Sequence, residues 1–316
     1  LVAGPIVRAR DFLPQLQAFG RRFKIRHGLF LIARGAFKKI CVSDLIADYP
    51  DQVFAAPAQF PPGDLWLAAA LFSIQIYCDF SGYTDMAMGV ARMLGFRLPE
   101  NFANPYTAIS VQDFWRRWHI SLSAWLRDYL YIPLGGNRRL IFSVMLTMLL
   151  GGLWHGAGLN FIIWGGLHGL AILWHRAWRA RVAPALEAAP AFARPDRFVY
   201  TTLAWLATQL LVLLCWVFFR AETAAEAVAF VSGMFGLVSP ASSPVEPRLF
   251  TSGSAVLLAA AIGFYAGQFM AREVRSRSWK RRLLRLRVIE FAYLVVIALV
   301  CLYLSGDTRP FIYFQF

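Results

Sequence analysis

The chain has 316 residues, 58% of them hydrophobic and 16% charged, with a formal net charge of +14. A soluble domain carries about a quarter charged residues, so this composition, with a mean hydropathy of +0.51, excludes an ordinary soluble protein and points to a lipid bilayer as partner. Nucleic acid is excluded as a partner by where the charge lies, because Lys and Arg gather at the ends of apolar segments, as in cytoplasmic loops.

The chain opens LVAGPIVRARDFLPQL with neither a Met nor a signal peptide, so it reads as a piece of a longer protein with N-terminal helices missing. A basic stretch (Arg21, Arg22, Lys24, Arg26) leads into LFLIARGAFKKICVSDLIADY, residues 29–49. Arg34, Lys38 and Lys39 inside it argue for an interfacial or re-entrant helix over a spanning one. Residues 65–95 begin apolar and continue into YCDFSGYTDMAMGVARMLGF. Asp79 and Asp85 are unusual at membrane depth and admit two readings, functional acids or partners of neighbouring helices; i,i+6 spacing predicts different faces.

DFWRRWHISLSAWLRDYLYIPLGG, residues 113–136, predicts a helix lying along the membrane surface. At 100° per residue, Phe114, Trp115, Trp118, Leu122, Trp125, Leu126 and Tyr129 form an apolar arc, with His119 at its margin. Asp113 and Arg117 stand at i,i+4, close enough to pair. From Leu140 to His175 there is no Asp, Glu, Lys or Arg, and Arg138 and Arg139 precede what Arg176, Arg179 and Arg181 follow. Like-charged flanks predict a hairpin with both ends on the cytoplasmic side, turning at 156–160, each arm about sixteen or seventeen residues and short for a span. Further spans are predicted at about 198–219, 252–271 and 288–305, joined by Pro-rich or basic linkers. The topology is thus all-α and polytopic, with no internal repeat, in a single domain over 1–316.

Cys41, Cys78, Cys215 and Cys301 are isolated in apolar runs, and no metal-ligand spacing exists. Of the five histidines, His27 lies in a basic surface stretch and His175 at a helix end. Haem ligation by His155 and His168 is disfavoured, because one stands at the turn and the other about eight residues beyond it. Acid–base chemistry suits His155, since a neutral imidazole can take the proton of a hydroxyl attacking a carbonyl. Trp154 can wall off water there, and Gly151, Gly152, Gly156 and Gly158 allow close approach. A structural histidine bonded to a backbone carbonyl is the competing reading.

The pair DFWRRWHISLSAWLRDYLYIPLGGNR and GGLWHGAGLNFIIWGGLHG resembles the membrane-bound O-acyltransferase family, and within it the bacterial branch concerned with alginate O-acetylation. GPIVRARDFLPQL, YCDFSGYTDMAMGVARMLGF, LPENFANPY and PFIYFQF fit the same branch. The resemblance implies a ring of helices around a thinned centre with a tunnel between the two membrane faces. It implies His155 as the catalytic histidine and His119 as the second, with Trp154, Trp115 and Trp118 against the substrate; His168 receives no role. It also implies acetyl-CoA or another acyl thioester as donor substrate, with no bound cofactor. The enzyme would lie in the bacterial inner membrane and O-acetylate an exported exopolysaccharide, with a periplasmic acetyltransferase or export proteins as partners. D-alanyl transfer to teichoic acids is the alternative within the family. A channel built on Asp79 and Asp85, or a non-enzymatic export scaffold, are the alternatives outside it.

Overall fold

The computed structural model describes residues 4–17, 23–184, 194–238, 262–268 and 312. These are helical or irregular, with no strand among them. In chain order the helices are α1 (Ala9–Gln17), α2 (Ile25–Ala36), α3 (Asp48–Ala55), α4 (Pro62–Met93), α5 (Val111–Trp115), α6 (Ile120–Leu126), α7 (Leu140–His155), α8 (Leu159–Arg181), α9 (Arg194–Arg220) and α10 (Ala224–Met234). Wider π-type turns continue α2 over Phe37–Asp44 and α6 over Arg127–Tyr131. Among the described residues, two segments are long and apolar enough to cross a membrane, Pro62–Met93 and Phe198–Arg220. The predicted span at 288–305 lies outside the described residues, as does all of that at 252–271 except the helical stretch 262–268.

The centre of the fold is α4. Pro62 starts it, in the first turn where a missing N–H costs nothing, and its 32 residues run to Met93. α2 lies antiparallel along it because glycines recur seven residues apart on both helices, Gly28 and Gly35 facing Gly89 and Gly82. A Cβ on Gly82 would stand 2.7 Å from the Gly35 carbonyl oxygen, and one on Gly89 would stand 2.6 Å from that of Gly28. That contact brings the cations of α2 onto the acids of α4. Arg34 Nε donates to Asp85 at 2.9 Å and Lys38 Nζ at 2.7 Å. Lys39 Nζ reaches Asp79 at 2.7 Å and Asp44 at 2.8 Å. Asp79 and Asp85 are therefore answered by one neighbouring element, although i,i+6 spacing on α4 predicted different faces; successive lysines of the π-type turn reach acids at two heights. The acids are bound partners of the packing, and removing one side of such a buried pair costs about 3–5 kcal/mol.

The predicted surface helix over 113–136 is not one helix. It breaks after Trp115, and His119 takes a left-handed conformation (φ 43°, ψ 54°) before α6 resumes. The break splits the apolar arc. Phe114, Trp118, Leu122 and Leu126 turn into the core, whereas Trp125 and Tyr129 stay exposed. The Asp113–Arg117 pair forms at 2.9 Å. α7 and α8 make the predicted hairpin, closed by the turn at 156–158. The first arm has 16 residues, but the second runs 23, through the basic flank to Arg181. Gly152 and Gly165 set the closeness of the arms, since a Cβ on either would strike the partner helix's backbone carbonyl, of Phe161 and Met148 respectively.

Candidate active site

His155 is the last residue of α7 and only 6% exposed. Three aromatic rings enclose it edge-on: Trp154 at 4.8 Å between centroids, Trp164 at 5.1 Å and Phe219 at 5.1 Å. The Trp154 ring extends the other way to His119, 6.1 Å from its centroid. Trp154 itself is 45% exposed, so it covers the two buried histidines from outside. The hairpin and the 113–136 segment thus bring His155 and His119 against a single indole.

His119 is fully buried, with Phe80 against it at 4.7 Å. Its left-handed backbone is held by Asn101, from LPENFANPY. Asn101 Oδ1 accepts from the Ser121 N–H at 3.1 Å and from Ser121 Oγ at 2.9 Å, and the Asn101 carbonyl accepts from the Ile120 N–H at 3.0 Å. A backbone N–H can only donate, so the amide atom facing it is the oxygen. His119 Nδ1 lies 3.2 Å from that same oxygen. Nδ1 is therefore the protonated nitrogen of the neutral ring, and the basic lone pair is on Nε2. Asn101 carries no periodic signal in the sequence, and only the fold shows what it holds.

His168 is also fully buried. It stacks on Phe114 at 6.2 Å, meets Trp164 edge-on at 5.0 Å, and its Nδ1 accepts from Trp115 Nε1 at 3.3 Å. Trp115 thus stands between His168 and a cavity of about 440 Å³ that it lines with Arg116, Arg127, Arg176, Thr147 and Met148. Thr147 is 6% exposed, and its buried hydroxyl has no hydrogen-bond partner among the described residues. Trp118 is placed differently from Trp115 and Trp154. It sits in the core, stacked on Phe114 at 5.7 Å and tilted on Trp216 at 4.9 Å. Among the described residues, no group of three His, Cys, Asp or Glu is arranged to hold a metal ion.

The profile of MBOAT, the membrane-bound O-acyltransferase family, matches residues 1–217, more than half of the chain. The chain belongs to this family. It is accordingly a membrane protein, and both histidine-bearing segments fall inside the matched region. It is 45% identical over 257 residues to the probable alginate O-acetylase of Azotobacter vinelandii, covering 80% of this chain and 49% of that protein. To the peptidoglycan O-acetyltransferase of Helicobacter pylori it is 42% identical over 248 residues, 75% of this chain and 45% of that protein. A more distant match is the teichoic acid D-alanyltransferase of Bacillus subtilis, 37% identical over 108 residues, 31% of this chain and 27% of that protein. The chain spans about half the length of the first two of these relatives.

Proposed function

We propose that this chain is the histidine-bearing part of a membrane O-acyltransferase that O-acetylates an exported bacterial polysaccharide. The observation that carries the proposal is the placement of both His155 and His119 against Trp154, in a buried aromatic enclosure within a membrane-bound O-acyltransferase. His155 takes the proton of the acceptor hydroxyl as its oxygen attacks the thioester carbonyl; the C–O bond forms, the C–S bond breaks, and the thiolate leaves with that proton. His119, oriented by Asn101, polarises the carbonyl or the hydroxyl. Trp154 and Trp115 line the approach to the two histidines, and Trp118 packs in the core on Phe114, which Trp115 also meets.

The donor is an acyl thioester, acetyl-CoA or a related carrier. The cavity beside Trp115 supports this, because three arginines border a space otherwise lined by apolar side chains and a few neutral polar ones, which suits a phosphate-bearing chain with a short acyl end. The basic flanks of α7 and α8 favour a cytoplasmic position for that side, with the hairpin turn towards the opposite one. On this reading the whole chain is one domain, a multi-pass inner-membrane ring of helices around a tunnel, working with a periplasmic acetyltransferase or polysaccharide-export proteins. The longer and more identical matches to O-acetylating relatives favour acetyl over D-alanyl transfer.

The test is His155→Ala in the full-length parent protein, expressed in its host at normal membrane level, with ester-linked acetate on the secreted polysaccharide as readout. Acetate lost at normal polymer yield is the expected result. Unchanged acetylation would overturn the assignment, and loss of the polymer itself would point to an export scaffold.

A further inference from the structure

A groove of about 620 Å³ runs between residues 171–178 of α8 and 199–211 of α9, and residues 109–111 complete its lining. Its walls are largely apolar, no Asp or Glu lines it, and most of its few polar groups are answered within the protein. Ser110 Oγ accepts from the Asp113 N–H at 3.1 Å, and the Thr208 hydroxyl donates to the Ala204 carbonyl at 2.7 Å. Trp178 Nε1 donates to the Tyr200 hydroxyl at 3.3 Å. A sugar or a peptide would find few partners here, whereas a hydrocarbon chain needs none. The groove opens outward. Trp174 on its wall is 72% exposed, and Val199 and Leu203 are exposed as well. α9 carries one of the two candidate spans, and only 33% of its apolar stretch is buried. His175 lines the groove too, and Arg179 and Arg116 set their charges beside it. Both arginines are exposed, and neither is held by a carboxylate among the described residues.

We propose that this groove holds an acyl chain of an anionic phospholipid, with the lipid phosphate at His175, Arg179 and Arg116. Length, order and charge all fit that occupant. From Val199 to Leu211 α9 rises about 18 Å, close to the roughly 15 Å of hydrocarbon in one leaflet. Trp174, Trp178 and Tyr200 gather at the same end as the cations, the arrangement that a membrane interface favours. That end is the basic flank of α8, on the side favoured for the cytoplasm, where the leaflet is anionic. Cations with no opposing carboxylate select a negative headgroup over a zwitterionic one. A second copy of this chain is a poorer occupant, because it would bring its own net charge of +14 against the same cations. Arg116 also borders the cavity beside Trp115, so Arg179 is the cation on which the test turns. The lipid needs only the membrane setting and not the transfer chemistry, so the site stands or falls apart from His155.

The experiment is native mass spectrometry of the full-length parent protein, delipidated in detergent and mixed with equal amounts of phosphatidylglycerol and phosphatidylcholine of the same chain length. Phosphatidylglycerol is expected to be retained about tenfold more than phosphatidylcholine. Arg179→Gln should cut that preference about fivefold, the equivalent of about 1 kcal/mol for one cation near an anionic headgroup. Ala207→Trp, which fills the groove, should lower retention of both lipids about tenfold. Val199→Glu, at an exposed position on the groove wall, should lower phosphatidylglycerol alone. Melting curves without added lipid establish that each variant is folded. Equal retention of the two lipids by wild type overturns the proposal, as does an undiminished preference in Arg179→Gln. Unchanged retention in folded Ala207→Trp or Val199→Glu also overturns it. Arg97→Gln, at a residue whose backbone meets α1 and not the groove, is the charge control: an equal loss of preference there would reduce the effect to net charge and sink the site.

Discussion

His155 and His168, thirteen residues apart and on different helices, meet the same indole: Trp164 lies 5.1 Å from the first ring and 5.0 Å from the second. Their surroundings nonetheless divide them. His155 stands at the turn of the hairpin beneath the half-exposed Trp154, whereas His168 is sealed between Phe114, Trp115 and Trp164.

That division gives different signatures for two substitutions. His168→Leu removes the acceptor of Trp115 Nε1 and should cost about 1–3 kcal/mol of stability while leaving measurable transfer. His155→Ala leaves a cavity in its aromatic enclosure and should also cost stability, but it should abolish transfer. Thermal unfolding and acetyl transfer, measured on both purified full-length variants, check the pair. Full activity loss in a stable His168→Leu would put His168 in the chemistry.

Asn101 is expected to be a positioning residue. Asn101→Ala strips the acceptor from Ser121 and from His119 Nδ1 together and frees the ring to take the other tautomer. Turnover should fall about tenfold to a hundredfold, with little change in the donor KM. Asn101→Asp retains an acceptor oxygen and should recover part of the loss. A donor KM that rises while kcat stays constant would instead make Asn101 part of the donor site.

Gly82 tests the contact between α2 and α4. Its Cβ would stand 2.7 Å from the Gly35 carbonyl, a backbone atom that cannot swing away. Gly82→Ala should therefore destabilise by about 1–3 kcal/mol, whatever alanine gains in helix propensity. Gly166→Ala is the control, since its nearest neighbour is a side-chain carbon of Leu149 at 3.6 Å, and it should be neutral or mildly stabilising. Melting temperatures in one detergent compare the two.

A pH dependence follows from Asp128 on the surface. Arg127 Nε donates to it at 2.8 Å and Arg8 reaches it at 2.6 Å, and these contacts, Arg127 first, hold its carboxyl below the ordinary aspartate range. A lowered folded-state value means stability present above the unfolded value of about 3.9 and lost as pH falls through the folded one. The melting temperature of wild type should thus exceed that of Asp128→Asn at neutral pH, and the gap should close only in acid beneath the ordinary aspartate range. A gap that instead widens towards acid would contradict the assignment.

Some of this protein was legible in its amino acids alone. The uncharged run from Leu140 to His175 between arginine flanks determined a hairpin, because burying charge in lipid costs more than any local preference supplies. The same run put His155 beside a glycine turn and Trp154 beside His155. The family, too, was legible, in motifs spread along the chain. Tertiary structure decided the rest, for a physical reason that recurs at each point. The helix of 113–136 breaks because Asn101, distant in sequence, supplies the hydrogen bonds that favour His119's left-handed backbone over a helical periodicity that was otherwise complete. Asp79 and Asp85 are bound by α2 and the π-type turn that continues it because glycines on two helices let the backbones touch, and facing glycines identify each other only when the helices are side by side. Periodicity reports which face of a helix is apolar; it does not report which helix will lie against that face. The site of His155, His119 and Trp154 is made by such a meeting.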